Sequence, residues 1–399
     1  MLANLFVVLI VLACAAYTYQ KSSLVKSFAT LIIVICGCIA AFGYFETAAK
    51  LLNASGSQSW LPAAIVPWMQ PLCFGLIFVI VFALLQTFLG QLDKKPVSFP
   101  LPAERVGRVI CGLIMGLFVT GSVLTGLVMA PLPANYPYGR FEGRNVNPGE
   151  PSKVLMDADG FVSGFFAMVS SGSMSGRQSF AALHPSFVDQ AFLNRLGVDS
   201  KVSLVTSPDA IELQKNEEGK VVAVWPAPEG LTDSEGKQIP GKSGCTLMIV
   251  RAGIRRIALD TAGRFMLSQI RLICQEKKGA WEALGGKAEN AYAIGYITTG
   301  NKLRMKKLNE VISLSNAQFK GNATVRWIDF GFYVPNDRFP ILLEFMQNIV
   351  LSVPSAASAE GAPALEPLED ESETKKGPDG QPTTSPDGKT TPERRPKRR

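Results

Sequence analysis

The amino-acid sequence predicts a membrane α-helical protein with four transmembrane helices, followed by a mainly β extracytoplasmic domain, sandwich or barrel-like, and a disordered tail. Three observations lead to this fold class. Short runs rich in Val, Ile and aromatic residues, divided by turns, begin near residue 199. From residue 354 the chain is rich in Pro, Gly, Ser, Thr and charge. The first third contains four long apolar runs without a charged residue, at 2–19, 28–45, 72–89 and 109–132.

The overall composition averages these unlike parts. Hydrophobic residues make up 47% of the chain and charged residues 18%, but the first third is very apolar and the remainder polar. We therefore divide the chain into a four-helix transmembrane domain at 1–132, a connector with short helices at 133–198, a β-rich globular domain at 199–353 and a charged tail at 354–399. The middle part is long enough to bury its own core.

Each apolar run approaches or exceeds the roughly 18–20 residues that a helix needs to cross about 30 Å of hydrocarbon. Pumps, ion-coupled transporters and voltage sensors place ionisable groups at membrane depth because their mechanisms use them. The four runs contain none, which argues against these classes. An uncleaved first helix is favoured over a signal peptide, because no Lys or Arg precedes the first run and three spans follow it.

Basic residues in the short loops predict the orientation, because Lys and Arg favour the cytoplasmic side. The second loop carries only Lys50, whereas the first and third loops and the entry to the fourth span carry Lys21, Lys26, Lys94, Lys95, Arg105 and Arg108. Arg140 and Arg144, just after the fourth span, oppose this assignment. On balance we expect a bacterial inner-membrane protein with both chain ends, and the C-terminal domain, outside the cytoplasm.

Small residues spaced four apart indicate close helix packing in two spans. Gly112 and Gly116 lie on one face of the fourth helix, and Gly37 and Ala41 offer a similar face in the second. Two interpretations remain open. These faces pack inside one four-helix bundle, or they form the contact between copies in a homo-oligomer.

The entry to the fourth helix carries a family resemblance. Four spans, a short basic first loop and a glycine-spaced fourth helix that begins with an acidic–Arg pair resemble the CvpA family, the colicin V production proteins of bacteria. In that family the entry looks like D-R-x-x-G-x-x-x-G-x-x-x-G. Glu104 takes the place of the acid and Arg105 matches. Arg108 stands where the first glycine would be, whereas Gly112 and Gly116 match.

The resemblance covers about residues 1–132, and the first loop, 20–26, lacks the glycines usual in the family. It implies an inner-membrane protein linked to toxin production or export and to envelope maintenance. It implies no catalytic residues. The rest of the chain would be an addition specific to this lineage.

Beyond the spans, a proline-rich connector leads to two short helices, predicted at 160–169 and 179–196. The β-rich part follows, and a mostly antiparallel sheet is the expected result. Residues 341–353 are predicted as a closing strand or a helix, which periodicity cannot distinguish. The predicted strands lie at 201–206, 221–225, 246–250, 266–274, 291–298 and 324–334.

Sequence motifs give no catalytic assignment. Residues 236–243 satisfy the phosphate-loop pattern G-x-x-x-x-G-K-[ST]. A working phosphate loop follows a buried strand and opens a helix, whereas this one follows a polar turn and precedes a predicted strand, so we expect no nucleotide binding. His184 is the single histidine, so any His-dependent triad must use it. The Ser/Gly segment 171–176 does not form a nucleophile elbow, and we expect a surface or capping role for His184.

The sequence contains few candidates for a metal site or a disulfide bond. Asp157 and Asp159 hint at calcium, but the ligand spacing of an EF-hand is missing, and no Cys/His cluster is present for zinc. We predict no cofactor. Cys245 and Cys274 are the two cysteines outside the spans. They would form one disulfide in an oxidising compartment or remain two unrelated buried thiols.

These observations favour a non-enzymatic membrane scaffold, anchored in the lipid bilayer, that presents its β-rich domain to an envelope protein or polymer. The alternative is a passive channel or a subunit of an export complex, in which Gln70 and Gln86 would supply polar groups. An enzyme is the weakest hypothesis. The basic end at 394–399 attracts anionic partners by charge, but a solvated tail without a specific nucleic-acid partner is favoured.

Overall fold

The computed structural model describes residues 2–53, 64–92, 100–141, 146–172, 179–276, 288–354 and 362–368. Lys94, Lys95, Arg144 and the basic end at 394–399 lie outside the described residues. The chain begins with four helices that are long and apolar enough to cross a membrane, as the sequence predicts. They are α1 (Leu2–Lys21), α2 (Leu24–Asn53), α3 (Met69–Leu92) and α4 (Leu101–Met129).

Helix α4 is the centre of the bundle and contacts α1, α2 and α3. Of the residues in its most apolar 18-residue stretch, 56% are buried within the protein, whereas the corresponding share in α3 is 11%. Glycines allow this central position. A Cβ atom on Gly112 would lie 2.7 Å from Ala15 Cα, and one on Gly116 would lie 2.7 Å from Val11 Cα. The backbones of α1 and α4 therefore touch along this face.

A second close contact joins α2 to α3. A Cβ atom on Gly37 would lie 3.2 Å from the Phe78 ring, and Ala41 is fully buried. The small-residue faces singled out in the sequence thus both lie against helices of the same bundle. The outer side of α3 is covered by exposed apolar side chains, among them Leu72, Leu76, Val79, Ile80, Leu84 and Phe88.

The connector contains α5 (Ala158–Ser171), α6 (Phe180–Leu183) and α7 (Phe187–Arg195). The first predicted short helix is confirmed. The prediction of one helix over 179–196 is wrong, because His184 leaves the helical conformation, with φ −126° and ψ 69°. The cause is Pro185, whose ring disfavours helical geometry at the preceding residue. Two short helices with a corner at His184 result.

The β domain follows, and its sheet is mostly antiparallel and barrel-like, as predicted. The strands are β1 (Ile211–Leu213), β2 (Val224–Pro226), β3 (Thr232–Asp233), β4 (Cys245–Arg255), β5 (Arg264–Met266), β6 (Ile270–Glu276), β7 (Glu289–Thr298), β8 (Lys302–Met305), β9 (Val311–Ser313), β10 (Val325–Pro335), β11 (Arg338–Phe345) and β12 (Ile349–Ser352). A one-turn helix, α8 (Leu259–Ala262), precedes β5.

The main sheet runs β1-β4-β10-β7-β6-β11-β12, with β2 beside β4 and β8 beside β7. It curls until the segments before its two edge strands meet. There Thr206 N donates to Asn348 Oδ1 at 3.1 Å, and Asn348 Nδ2 donates to Thr206 O at 2.5 Å. The side chain of Asn348 takes the place of a ladder partner, so the prediction of a strand over 201–206 is wrong. Inside the curl lie large buried residues, including Phe265, Tyr296, Phe330, Phe332 and Phe345.

The region that periodicity left open, 341–353, is a hairpin of β11 and β12. Met346 begins the turn between the two strands and has a φ of 55°. The predicted disorder of 354–399 is wrong for residues 362–368, which lie on the sheet. There Leu368 is 2% exposed, and its backbone N donates to Ile297 O at 2.9 Å. Residues 369–399 lie outside the described residues.

Replacing Gly112 with Ala is expected to destabilise the bundle. The new methyl group would meet the backbone of α1, and such overpacking costs about 1–3 kcal/mol. Gly90→Ala on α3 is the matched control, because a Cβ there has nothing within 4 Å and Ala is the better helix former. Thermal unfolding in detergent should give a lower midpoint for Gly112→Ala and no decrease for Gly90→Ala. Equal midpoints would contradict close contact between α1 and α4.

Candidate functional site

The polar centre of the molecule is the corner at His184, between the helical bundle and the β domain. Pro185 ends α6, and the imidazole of His184 packs between the rings of Phe180 in α6 and Phe187 in α7, with ring centroids 5.1 Å away on each side. Its Nε2 lies 2.6 Å from Glu46 Oε1, and its Nδ1 lies 2.9 Å from Gln190 Oε1. Glu46 lies near the C-terminal end of α2, one residue beyond the uncharged run. The single histidine is therefore a contact between a bundle helix and the connector.

Arg271 on β6 continues this network into the β domain. Its side chain is 3% exposed and forms an ion pair with Glu344 on the neighbouring strand β11. It also donates to Asn290 Oδ1 at 2.6 Å and to the Leu183 carbonyl at 3.0 Å. The last bond ties the sheet to the end of α6, immediately before His184. We call the set Glu46, His184, Gln190, Arg271 and Glu344 the junction network.

Arg195 holds the end of the central helix. It is fully buried and donates to three carbonyls, at Leu127 (3.1 Å), at Ala134 (3.3 Å) and at Tyr136. Leu127 belongs to the last turn of α4, where the C-cap residue Ala130 also donates to its carbonyl, at 3.3 Å. Burial lowers the pKa of Arg195 to about 10, so it remains charged at neutral pH. Its guanidinium thus fixes α7 to the point where the chain leaves the bundle.

A second charged cluster includes Asp189 of α7. Arg140, 4% exposed, pairs with Asp189. It donates from Nη1 to the Tyr138 hydroxyl at 2.9 Å, and this hydroxyl donates to the fully buried Asp159. Burial raises the pKa of Tyr138, and the Asp159 carboxylate raises it further. The hydroxyl therefore stays protonated and serves as a donor.

This cluster explains the aspartates that hinted at calcium in the sequence. Asp159 faces Tyr138, and Asp157 pairs with Lys153 at 2.8 Å. Both carboxylates thus have basic or hydroxyl partners within the protein. In the described part of the chain, no group of three or more His, Cys, Asp and Glu residues is arranged to hold a metal.

A cleft of about 1040 Å³ separates the connector from the outer face of the β domain. Its floor includes Asn290, Tyr292 and Ile294, which alternate along β7 with the core residues Ala291 and Ala293. Within the described residues the Tyr292 hydroxyl has no hydrogen-bond partner, and burial raises its pKa. Other polar and charged residues of the wall include Asn147, Asp189, Lys242, Glu289, Lys306 and Glu310. The cleft offers polar groups of both signs beside apolar surface.

The phosphate-loop motif lies at the rim of this cleft and has no nucleotide-binding geometry. Gly236 occupies a tight turn with φ 81°, and strand β4 begins at Cys245, two residues after the motif. A helix N-terminus, which would hold the phosphates, is replaced by a strand. Lys242 lines the cleft wall instead.

The two cysteines of the β domain are free thiols, so the disulfide alternative is not formed. Strands β4 and β6 are separated by β10 and β7. Three strand spacings amount to about 14 Å, whereas a disulfide needs Cα atoms within about 7 Å. Cys245 therefore cannot reach Cys274.

The polar residues considered for a channel have different surroundings. Gln70, at the start of α3, donates to the Gln347 carbonyl of the β domain at 3.2 Å. It is thus a further link across the junction. Gln86 lies deep in α3, and its amide oxygen has no partner among the described residues.

Sequence reasoning missed most of the junction network. Arg271 and Glu344 belong to strands that read as ordinary apolar segments, and Glu46 follows an apolar span directly. The available signal was His184 followed by Pro185, which predicts a corner. It does not identify the partners of the histidine, because these come from α2, α7 and β6.

Comparisons with known proteins add little to this geometry. No protein-family model and no curated protein matches the chain. A solved structure with partial similarity is the crystal structure of an uncharacterized β-sandwich protein from Clostridium difficile. It is 14% identical, covers 38% of this chain and 92% of that chain, and gives a TM-score of 0.20. A likeness at this level supports no inference, and the CvpA resemblance stays a prediction.

The contact between Glu46 and His184 should have a measurable coupling energy. We expect a double-mutant cycle of Glu46→Ala and His184→Ala, followed by thermal unfolding in detergent, to give roughly 0.5–3 kcal/mol. A control cycle pairs Glu46 with Lys50, which is 3.7 Å away and has a side chain 54% exposed. That pair should give at most about 0.5 kcal/mol. Additive effects of Glu46→Ala and His184→Ala would show that the contact does not hold the junction.

Cys245 and Cys274 should differ in their reaction with maleimide in the folded protein. Cys274 is fully buried, and burial raises its thiol pKa to about 12, so it should react only after unfolding. Cys245 is partly exposed and should react first. Peptide mass spectrometry without a reductant measures both. A cross-linked peptide pair would contradict the strand order.

Proposed function

We propose that this chain is a multi-pass membrane scaffold whose connector holds the β domain in a fixed position on the helical bundle. The main evidence is the junction network, in which Glu46 Oε1 of α2 lies 2.6 Å from His184 Nε2. Two further contacts support it, from Gln70 of α3 to the β domain and from Arg195 to the end of α4. Three bundle helices are thus tied to the part of the chain beyond them.

Buried ionic contacts suit a scaffold because they fix one geometry. A buried charge that loses its partner costs several kcal/mol, typically about 3–5, so an arrangement that separates the pair is strongly disfavoured. The buried Arg271–Glu344 pair ties the sheet to the end of α6, and the buried Arg140 pairs with Asp189 of α7. A β domain held in this way would keep its outer face in a constant position relative to the membrane.

The partner is proposed to be an envelope protein or polymer outside the cytoplasm. The cleft beside the connector has the size of a ligand site and is lined by polar side chains of both signs. Neither nitrogen of His184 faces a hydroxyl or a thiol, since one meets the Glu46 carboxylate and the other the Gln190 amide. This arrangement favours binding over catalysis. The role in toxin production or export stays a prediction that rests on the resemblance in residues 1–132.

The orientation can be tested with alkaline phosphatase fusions in a bacterial host. This reporter is active only where its disulfides form, outside the cytoplasm. Fusions after Arg140 and after Pro354 should be active, and a fusion after Ser23, in the loop between α1 and α2, should be inactive. The reverse pattern would place the β domain in the cytoplasm and exclude an envelope partner.

A further inference from the structure

Residues 362–368, Ala-Pro-Ala-Leu-Glu-Pro-Leu, cross the outer face of the sheet as an extended segment. We call this segment the strap. Its main chain makes four hydrogen bonds to the β domain. Arg251 Nη2 donates to Ala364 O at 2.5 Å, and Glu366 N donates to Asp329 Oδ2 at 2.7 Å. Arg326 Nη2 donates to Pro367 O at 2.5 Å, and Leu368 N donates to Ile297 O at 2.9 Å.

Arg251 and Asp329 form the centre of this binding surface. They face each other on the adjacent strands β4 and β10 and pair through two bonds of 2.6 and 2.7 Å. Arg251 also donates to Gln214 at 2.9 Å, and its guanidinium lies over the Trp225 ring at 5.2 Å. Their side chains are 3% and 0% exposed. The pair presents one donor and one acceptor to a peptide backbone.

Apolar contacts give the surface its side-chain preference. Leu365 and Ala362 pack against a cluster that contains Trp225, Ile249, Ile297 and Leu303. Leu368, at the end of the strap, belongs instead to the main core cluster inside the curl and is 2% exposed. The surface therefore accepts leucines three positions apart in an extended chain, and prolines beside them favour that conformation before binding.

The pair does not need the strap in order to remain satisfied. Without the strap, Arg251 would keep both bonds to Asp329 and its bond to Gln214, and the aspartate would keep both of its oxygens paired. A buried pair that lost its sole partner would instead be strongly destabilising. The Arg251–Asp329 pair thus stays hydrogen-bonded when the strap leaves the sheet.

We propose that this groove is a peptide-binding site, that the strap is its ligand in cis, and that its partner in trans is an extended, proline-containing segment with two leucines three residues apart. The hydrogen bonds recognise a backbone, and the two apolar sites recognise the leucines. Because the strap is attached to the same chain, its effective concentration is high, so it competes with a partner. The groove deepens the proposed function, on which it rests for its exposure to envelope proteins.

The test uses the full-length protein in detergent and a fluorescein-labelled peptide with the sequence of residues 362–368, followed by fluorescence anisotropy. Leu365→Asp combined with Leu368→Asp should release the strap and increase peptide affinity at least tenfold over the unmodified protein. Glu366→Gln is the matched control, because it keeps the backbone bond and both leucines, and it should leave affinity unchanged. A peptide with both leucines replaced by Asp should not bind.

Circular dichroism and thermal unfolding establish that each variant is folded. If the double variant unfolds, Leu365→Asp alone decides the test, since Leu365 is only partly buried. A folded strap variant that binds no better than the unmodified protein would overturn the proposal. Dimerisation of the unmodified protein that the same substitutions abolish would also overturn it, since a second copy would then take the groove. The phosphatase fusions report separately on the proposed function, because peptide binding in detergent does not depend on membrane orientation.

Discussion

The position of the β domain depends on the corner at His184 and Pro185. Proline removes the helical conformation at residue 184, which turns the imidazole toward Glu46 and starts the junction network. A continuous helix over this stretch would separate the histidine from α2. The Leu183 carbonyl would then receive a bond from its own helix and would not accept the one from Arg271. One local constraint of the backbone thus creates the acceptors through which the sheet attaches to the bundle.

Buried arginines make several of the contacts between distant parts of the chain. Arg140, Arg195, Arg251 and Arg271 are each 4% exposed or less. Each has a carboxylate or a set of carbonyls that matches the planar fork of the guanidinium, which lysine cannot reproduce. Arg195 and Arg271 form hydrogen bonds at the junction with the bundle, whereas Arg251 lies on the outer face of the sheet and binds the strap. The protein therefore uses one kind of contact to attach its domain and to hold its C-terminal segment.

The strap is ordered although its composition predicts disorder. Residues 362–368 are rich in proline and lack a regular apolar period, which is typical of unfolded segments. They are nevertheless ordered on the sheet because the β domain supplies hydrogen bonds for a backbone that has none of its own. Composition indicates whether a segment folds by itself, but it does not show whether another part of the chain will bind it.

The four apolar helices, the connector and the antiparallel β domain could be predicted from the sequence, because hydrophobic runs and strand periodicity are local properties. The small-residue faces of α2 and α4 were also readable in this way, whereas the helix predicted over 179–196 overlooked the corner that Pro185 imposes. The partners of His184, the separation of Cys245 from Cys274 and the seat of the strap were not readable. They depend on strand order and on contacts between residues far apart in the chain, such as Glu46 with His184 or Asp329 with Glu366. A sequence read along its length specifies which side chains need partners, but only the folded chain brings those partners within hydrogen-bond distance.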